Sequence, residues 1–134
     1  MPTGTVNVVF GDFSILILFT ANRIQEQLMT VWTVAGDAQG NPTTSDCDHL
    51  SQAKDVAPST RDGCEDCLRE GTRWVHLREC LSCGHVGCCD NSPRRHATAH
   101  WRNTDHALIR SFEPGEEWGW CYFDELFLLP AETA

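Results

Sequence analysis

Cys64-Glu-Asp-Cys67, Cys80-Leu-Ser-Cys83, Cys88-Cys89, His96-Ala-Thr-Ala-His100 and His106 crowd into the middle of the chain. Two residues between cysteines let both thiolates reach one ion from a tight knuckle. Zn²⁺ takes four N or S donors in a tetrahedron. His96 and His100 stand four apart on an expected helix, so they share a face. Working outward, Cys47 and His49 flank one residue upstream, and Cys121 and Asp124 flank two downstream. A catalytic zinc keeps an open coordination position. Neither the HExxH pattern of metalloproteases nor the HxE…PCxxC pattern of zinc deaminases is present. The spacing therefore points to structural zinc.

The chain around these pairs has 134 residues, 41% of them hydrophobic and 22% charged. That is enough for one domain with a core, and too apolar for a disordered chain. Ten Lys and Arg against nineteen Asp and Glu give a net charge of -9. A nucleic-acid binder needs a basic face to displace counterions, so that class is disfavoured. Anionic membrane surfaces are disfavoured for the same reason.

Eight cysteines in a short chain read either as a secreted disulfide framework or as a reduced metal-binding protein. The apolar run Val6 to Ala21 is broken by Asp12 and follows no Lys or Arg. A secretory leader needs a basic start, and a membrane helix needs about 20 apolar residues. The expectation is a soluble, cytoplasmic chain whose thiols are free for metal.

Residues 1–44 contain no cysteine and little charge. Ile24, Leu28, Val31 and Trp32 recur at helical spacing. Gly36 to Ser45 reads as a linker. The expectation is an N-terminal extension over 1–44, weakly structured, with Met29 as an alternative start. The finger proper spans 45–134. There, Arg73 to Arg78 predicts a short strand, and Asn91-Ser92-Pro93 predicts a helix from about Pro93 to Arg102. Ala107 to Phe112 and Trp118 to Phe123 predict further strands, and Asp124 to Leu129 a last strand or helical turn. The expected fold is a small zinc-stabilised α+β domain: a short antiparallel sheet, one main helix, and a core thin enough to need metal staples.

The two CxxC pairs, Trp74, Cys88, His96, His100, His106 and Trp120-Cys-Tyr122 together resemble the UBP-type zinc finger, the ubiquitin-binding finger of many deubiquitinating proteases. Cys83-Gly-His-Val-Gly-Cys-Cys89 is similar to its small stand-alone bacterial members. The resemblance implies one site from Cys64, Cys67, Cys88 and His96. It implies a second from Cys80, Cys83, His100 and His106, interleaved with the first as a cross-brace. Some members carry a third zinc, matched here by Cys47, His49, Cys121 and Asp124, with Asp in place of the last Cys. Carboxylate is an acceptable zinc ligand, though a harder one. Cys89 is left over, as a small buried hydrophobe or a redox thiol. His76 and His85 fall outside the ligand sets.

The family's ubiquitin pocket has aromatic walls and an Arg that holds the terminal carboxylate. The resemblance puts Trp74, Trp120 and Tyr122 at the walls, though tryptophans in so small a domain also serve as core. Where the family has Cys-Gly-Arg, this chain has Cys88-Cys-Asp90. A carboxylate ligand would meet a carboxylate. Removing one partner of a buried charge pair costs about 2–5 kcal/mol. The usual ubiquitin-tail recognition is therefore not expected unless Arg78, Arg94 or Arg95 replaces the missing group; alternatively Asp90 favours an amine-bearing ligand or caps a turn. The central arginines Arg69, Arg73, Arg78, Arg94, Arg95 and Arg102 read as a salt-bridged face or a local patch for an acidic ligand. The leading expectation is a non-catalytic module for a protein segment or peptide terminus. A zinc-dependent enzyme and a nucleic-acid-binding finger are the alternatives.

Overall fold

Short strands of three to six residues, punctuated by knuckles and turns, pair into one antiparallel sheet. The structure, a computed structural model, describes residues 30–131. Its strands are β1 (Trp32–Asp37), β2 (Leu77–Cys80), β3 (Val86–Cys88), β4 (Leu108–Ser111), β5 (Gly119–Cys121) and β6 (Leu126–Pro130). Their order is β1-β6-β5-β4-β2-β3. A 3-10 helix (Asp48–Gln52) and the α-helices α1 (Glu65–Glu70) and α2 (His96–Thr104) lie between them. The domain is thus small, antiparallel and α+β, with α2 as its longer helix.

The domain starts well before the expected boundary at residue 45. The described residues, from Thr30 on, form one compact unit. β1 pairs with β6 from Trp32↔Pro130 to Asp37↔Leu126. Val31 and Trp32 thus belong to an edge strand and its approach rather than to a helix; Ile24 and Leu28 lie outside the described residues. Alternation explains it: Trp32 and Gly36 are buried while Thr33 and Ala35 between them are exposed. The expected linker begins as strand, then turns tightly. Asp37 Oδ1 accepts from the backbone N–H of Gln39 (3.0 Å) and of Asn41 (2.8 Å).

Other boundaries also move. The strand expected over Arg73 to Arg78 begins only at Leu77, where β3 and β4 come alongside. α2 starts at His96 rather than Pro93. Arg95 takes a left-handed turn (φ 48°) just before it, and the His96 N–H donates to Cys88 Sγ at 3.2 Å. A thiol meets the first N–H of the helix, in place of the expected start at Asn91-Ser92-Pro93. Asp124 belongs to a turn that precedes β6. α1 has no counterpart in the sequence reading; Gly71, left-handed at φ 76°, ends it.

The apolar core is small. Trp32, Leu81, Ala107, Leu108, Leu126 and Leu128 cluster with Cys47 and Cys121. Trp74 and Leu77 pack against a second cluster, Cys64, Cys67 and Cys88. Leu108, Leu128 and Val86 are fully buried, and so are Cys64, Cys67, Cys80, Cys88 and Cys121. Sulfur therefore fills much of the interior.

Candidate metal centres

Three knuckles share one local design. Cys67 N–H donates to Cys64 Sγ, Ser82 N–H to Cys80 Sγ and Asp124 N–H to Cys121 Sγ, each at 3.4 Å. Backbone dipoles aimed at sulfur favour the thiolate. Each knuckle meets a second pair of donors from elsewhere in the fold.

The first group is Cys64, Cys67, Cys88 and His96, all buried. His96 Nδ1 stands 3.3 Å from Cys64 Sγ, 3.3 Å from Cys67 Sγ and 3.5 Å from Cys88 Sγ. Cys67 and Cys88 sulfurs are 3.9 Å apart. The second group is Cys80, Cys83, His100 and His106. Cys83 Sγ lies 3.3 Å from His100 Nε2, and Cys80 Sγ 3.6 Å from His106 Nδ1. Cys83 is exposed. The third group is Cys47, His49, Cys121 and Asp124. There His49 Nδ1 is 3.0 Å from Asp124 Oδ2, and Cys121 Sγ is 3.8 Å and 3.7 Å from those two atoms.

These groups fit zinc. Donors bound at zinc's usual lengths in a tetrahedron stand roughly 3.5–3.8 Å apart. Within each group the candidate donor atoms all lie within 4.8 Å of one another. The partition follows the one the resemblance implies. α2 sends His96 to one group and His100, a turn later, to the other, which makes the cross-brace.

Electrostatics agree. Burial, reinforced by the neighbouring thiols, pushes Cys64 up to about 12, and burial pushes Cys80 up to about 11. Burial, then the bond to Asp124, pushes Cys47 up to about 12. Crowded buried thiols do not ionise unaided; a divalent cation inverts that cost. His100 is pushed down to about 4 by burial, then by His85 and His106, so its ring keeps a free lone pair. Asp124 sits below the usual carboxylate range, chiefly through its bond to Cys47, with His49 adding to it.

Glu65, Asp66 and His85 form a fourth grouping, but protein partners already occupy its oxygens. Asp66 binds Arg69 (2.6 Å) and His85 (2.7 Å), and Glu65 accepts from Ser59. His85 instead stacks on His100, centroids 4.1 Å apart. His76 is exposed and only its carbonyl is used, accepting from Cys89 N–H. Cys89 is 6% exposed and stands outside every group. Burial raises its thiol, but the backbone at Asn91 and His76, with Ser92 and Arg78, brings it below the ordinary value.

The expected ligand residues divide. Asp90, Trp120 and Tyr122 line a single cleft of about 240 Å³. Trp74 does not: it covers the first metal group and lies over Gly63, where any Cβ would strike its ring. Its place is taken by Trp118, which the sequence reading passed over, with Phe127 behind. Tyr122 stacks on Trp101 at 4.9 Å, and burial, with Asp90 adding to it, pushes its hydroxyl up to about 12. Arg78 also lines the cleft, 4.7 Å from the Trp118 centroid. Asp90 caps no turn; it accepts from Thr98 Oγ1 at 2.5 Å. Arg69 and Arg94 are engaged by Asp66 and Glu70, so those two form a salt-bridged face.

Among the described residues no helix is long and apolar enough to cross a membrane. The chain is similar to a protein of Rhodopseudomonas palustris, RPA1320, solved in solution by NMR. Identity is 50% over 65% of this chain and 84% of that one, with a TM-score of 0.59. Residues 64–132, just over half of the chain, match the family model described as the Zn-finger in ubiquitin-hydrolases and other protein. With its Cys and His groups converged as such a finger needs, the chain belongs to the UBP-type zinc-finger family and is a zinc-binding module.

Proposed function

We propose that this finger holds three structural zinc ions and acts, without catalysis, as a docking module for a protein segment or peptide terminus. Each of the three groups offers four protein donors. That completes a tetrahedron and leaves no open position for a reacting water, which favours a structural over an enzymatic role. The net charge of -9 weighs against nucleic acid. Eight cysteines used as thiols suit a reducing compartment, the cytoplasm.

The cleft of Trp118, Trp120, Tyr122 and Phe127, rimmed by Asp90, carries the binding reading. Aromatic walls exclude water around a flat peptide backbone. Asp90 stands where the resemblance calls for a carboxylate-binding Arg. Arg78 reaches the cleft from β2 instead, held by the Leu77 carbonyl and over the Trp118 ring, so a terminal carboxylate is met from another direction than in the usual ubiquitin-tail mode. A peptide ending in free Gly-Gly, titrated into the zinc-loaded chain, should bind at millimolar concentration or not at all. Asp90→Arg should tighten it. Micromolar binding by the unmodified chain would overturn this reading of Asp90.

A further inference from the structure

The cleft carries two opposite charges that do not pair with one another. Arg78 enters from β2, and Asp90 follows β3. Among the described residues no ion pair joins them. Each is held by something else. Arg78 Nη1 donates to the Leu77 carbonyl at 2.9 Å, and its guanidinium lies over Trp118. That leaves other N–H donors on its edge. Asp90 takes the Thr98 hydroxyl on Oδ1, which leaves Oδ2. Both side chains line the same cleft. Charges fixed in advance cost little ordering when a ligand arrives.

A ligand that satisfies both needs an anion and a cation joined by an apolar stem. The cavity, at about 240 Å³, falls below the roughly 300–1,000 Å³ of a drug-sized site. It suits the end of a chain. We propose that the cleft takes a protein carboxyl terminus whose last residue is lysine or arginine. The terminal carboxylate meets Arg78, the methylene stem lies along Trp120 and Phe127, and the side-chain cation meets Asp90. Long basic side chains bury their stems in this way. The face of Trp118 is taken by Arg78, so Trp120 remains to attract the incoming cation. This assignment rests on the docking function proposed above and adds the chemistry of its ligand.

The test titrates the zinc-loaded full chain with free lysine and with four peptides that differ only at their ends: ending in Lys, ending in Gly-Gly, ending in Lys but amidated, and ending in norleucine. Binding is read from amide shifts, with zinc content confirming each variant's fold. The Lys peptide should bind about tenfold or more tighter than the other three, the gap expected for one partly desolvated charge contact. Asp90→Asn should erase the preference of Lys over norleucine and keep that for free carboxylate. Arg78→Gln should do the reverse. Equal binding of the Lys, norleucine and Gly-Gly peptides, or preferences unmoved in both variants, overturns the ligand assignment but leaves a docking cleft. Binding of none of the four overturns the docking reading as well. Free lysine binding as tightly as the Lys peptide makes the occupant a small zwitterion and overturns the assignment.

Discussion

His96 turns its two ring nitrogens to different tasks: Nδ1 faces the three thiols of the first metal group, and Nε2 lies 3.2 Å from Glu70 Oε1. Glu70 ends α1, the helix that carries Cys67, and it also meets Arg94 at 3.3 Å. A carboxylate on the far nitrogen fixes the tautomer that leaves Nδ1 free for metal, and makes it more basic. Glu70→Ala should weaken the first zinc by about 10–100-fold, read by competition with a chromogenic chelator. Glu70→Gln, which keeps an acceptor, should lose less.

Cys64→Ala and Cys89→Ala separate ligand from filler. Both residues are buried, and both changes remove one sulfur. Only Cys64 stands in a metal group. Structural zinc contributes on the order of 10 kcal/mol in finger peptides, more than a core this thin can forgo. Cys64→Ala should abolish the dispersed amide spectrum. Cys89→Ala should retain it and all bound zinc.

The cysteine pairs were legible because a CxxC knuckle is local: two thiols, two intervening residues and one N–H to sulfur bond define it wherever it sits. His96 and His100 were legible for a similar reason, through helical spacing. β1 was not. Val31 and Trp32 fit a helix with Ile24 and Leu28 as well as they fit a strand, and only pairing with β6 decides for strand. The start of α2 was obscured because its first N–H is met by Cys88 Sγ, a partner eight residues back. The cleft was half legible. Asp90, Trp120 and Tyr122 lie near family motifs, whereas exchanging Trp74 for Trp118 depends on tertiary packing: Trp74 lies against the first metal group and Trp118 lines the cleft.

Asp124 tests the third centre. Its carboxylate stands 3.0 Å from His49 Nδ1 and 3.7 Å from Cys121 Sγ. Asp124→Ala should drop one zinc ion while the other two persist, seen by native mass spectrometry. Asp124→Cys restores the softer donor and should tighten that ion. An unchanged count in Asp124→Ala would exclude Asp124 as a ligand.

The centres should also differ in exchange and in pH response. The first is wholly buried, whereas Cys83 exposes the second to solvent. A soluble chelator should strip the second centre before the first. As pH falls, protons compete for the thiols, and metal is lost. Three sulfurs in the first group against two in the second give slopes of about three and two protons per ion. His100, pushed down to about 4, adds no proton competition near neutrality. Zinc occupancy against pH, resolved by cysteine-specific labelling, checks both points.

Native mass spectrometry of the reduced, intact chain, paired with an amide spectrum before and after chelation, bears most directly on the idea that metal holds this fold together. Three zinc ions per molecule are expected, with loss of spectral dispersion when they are removed. A chain that carries one ion or none and still gives a well-dispersed spectrum would contradict it.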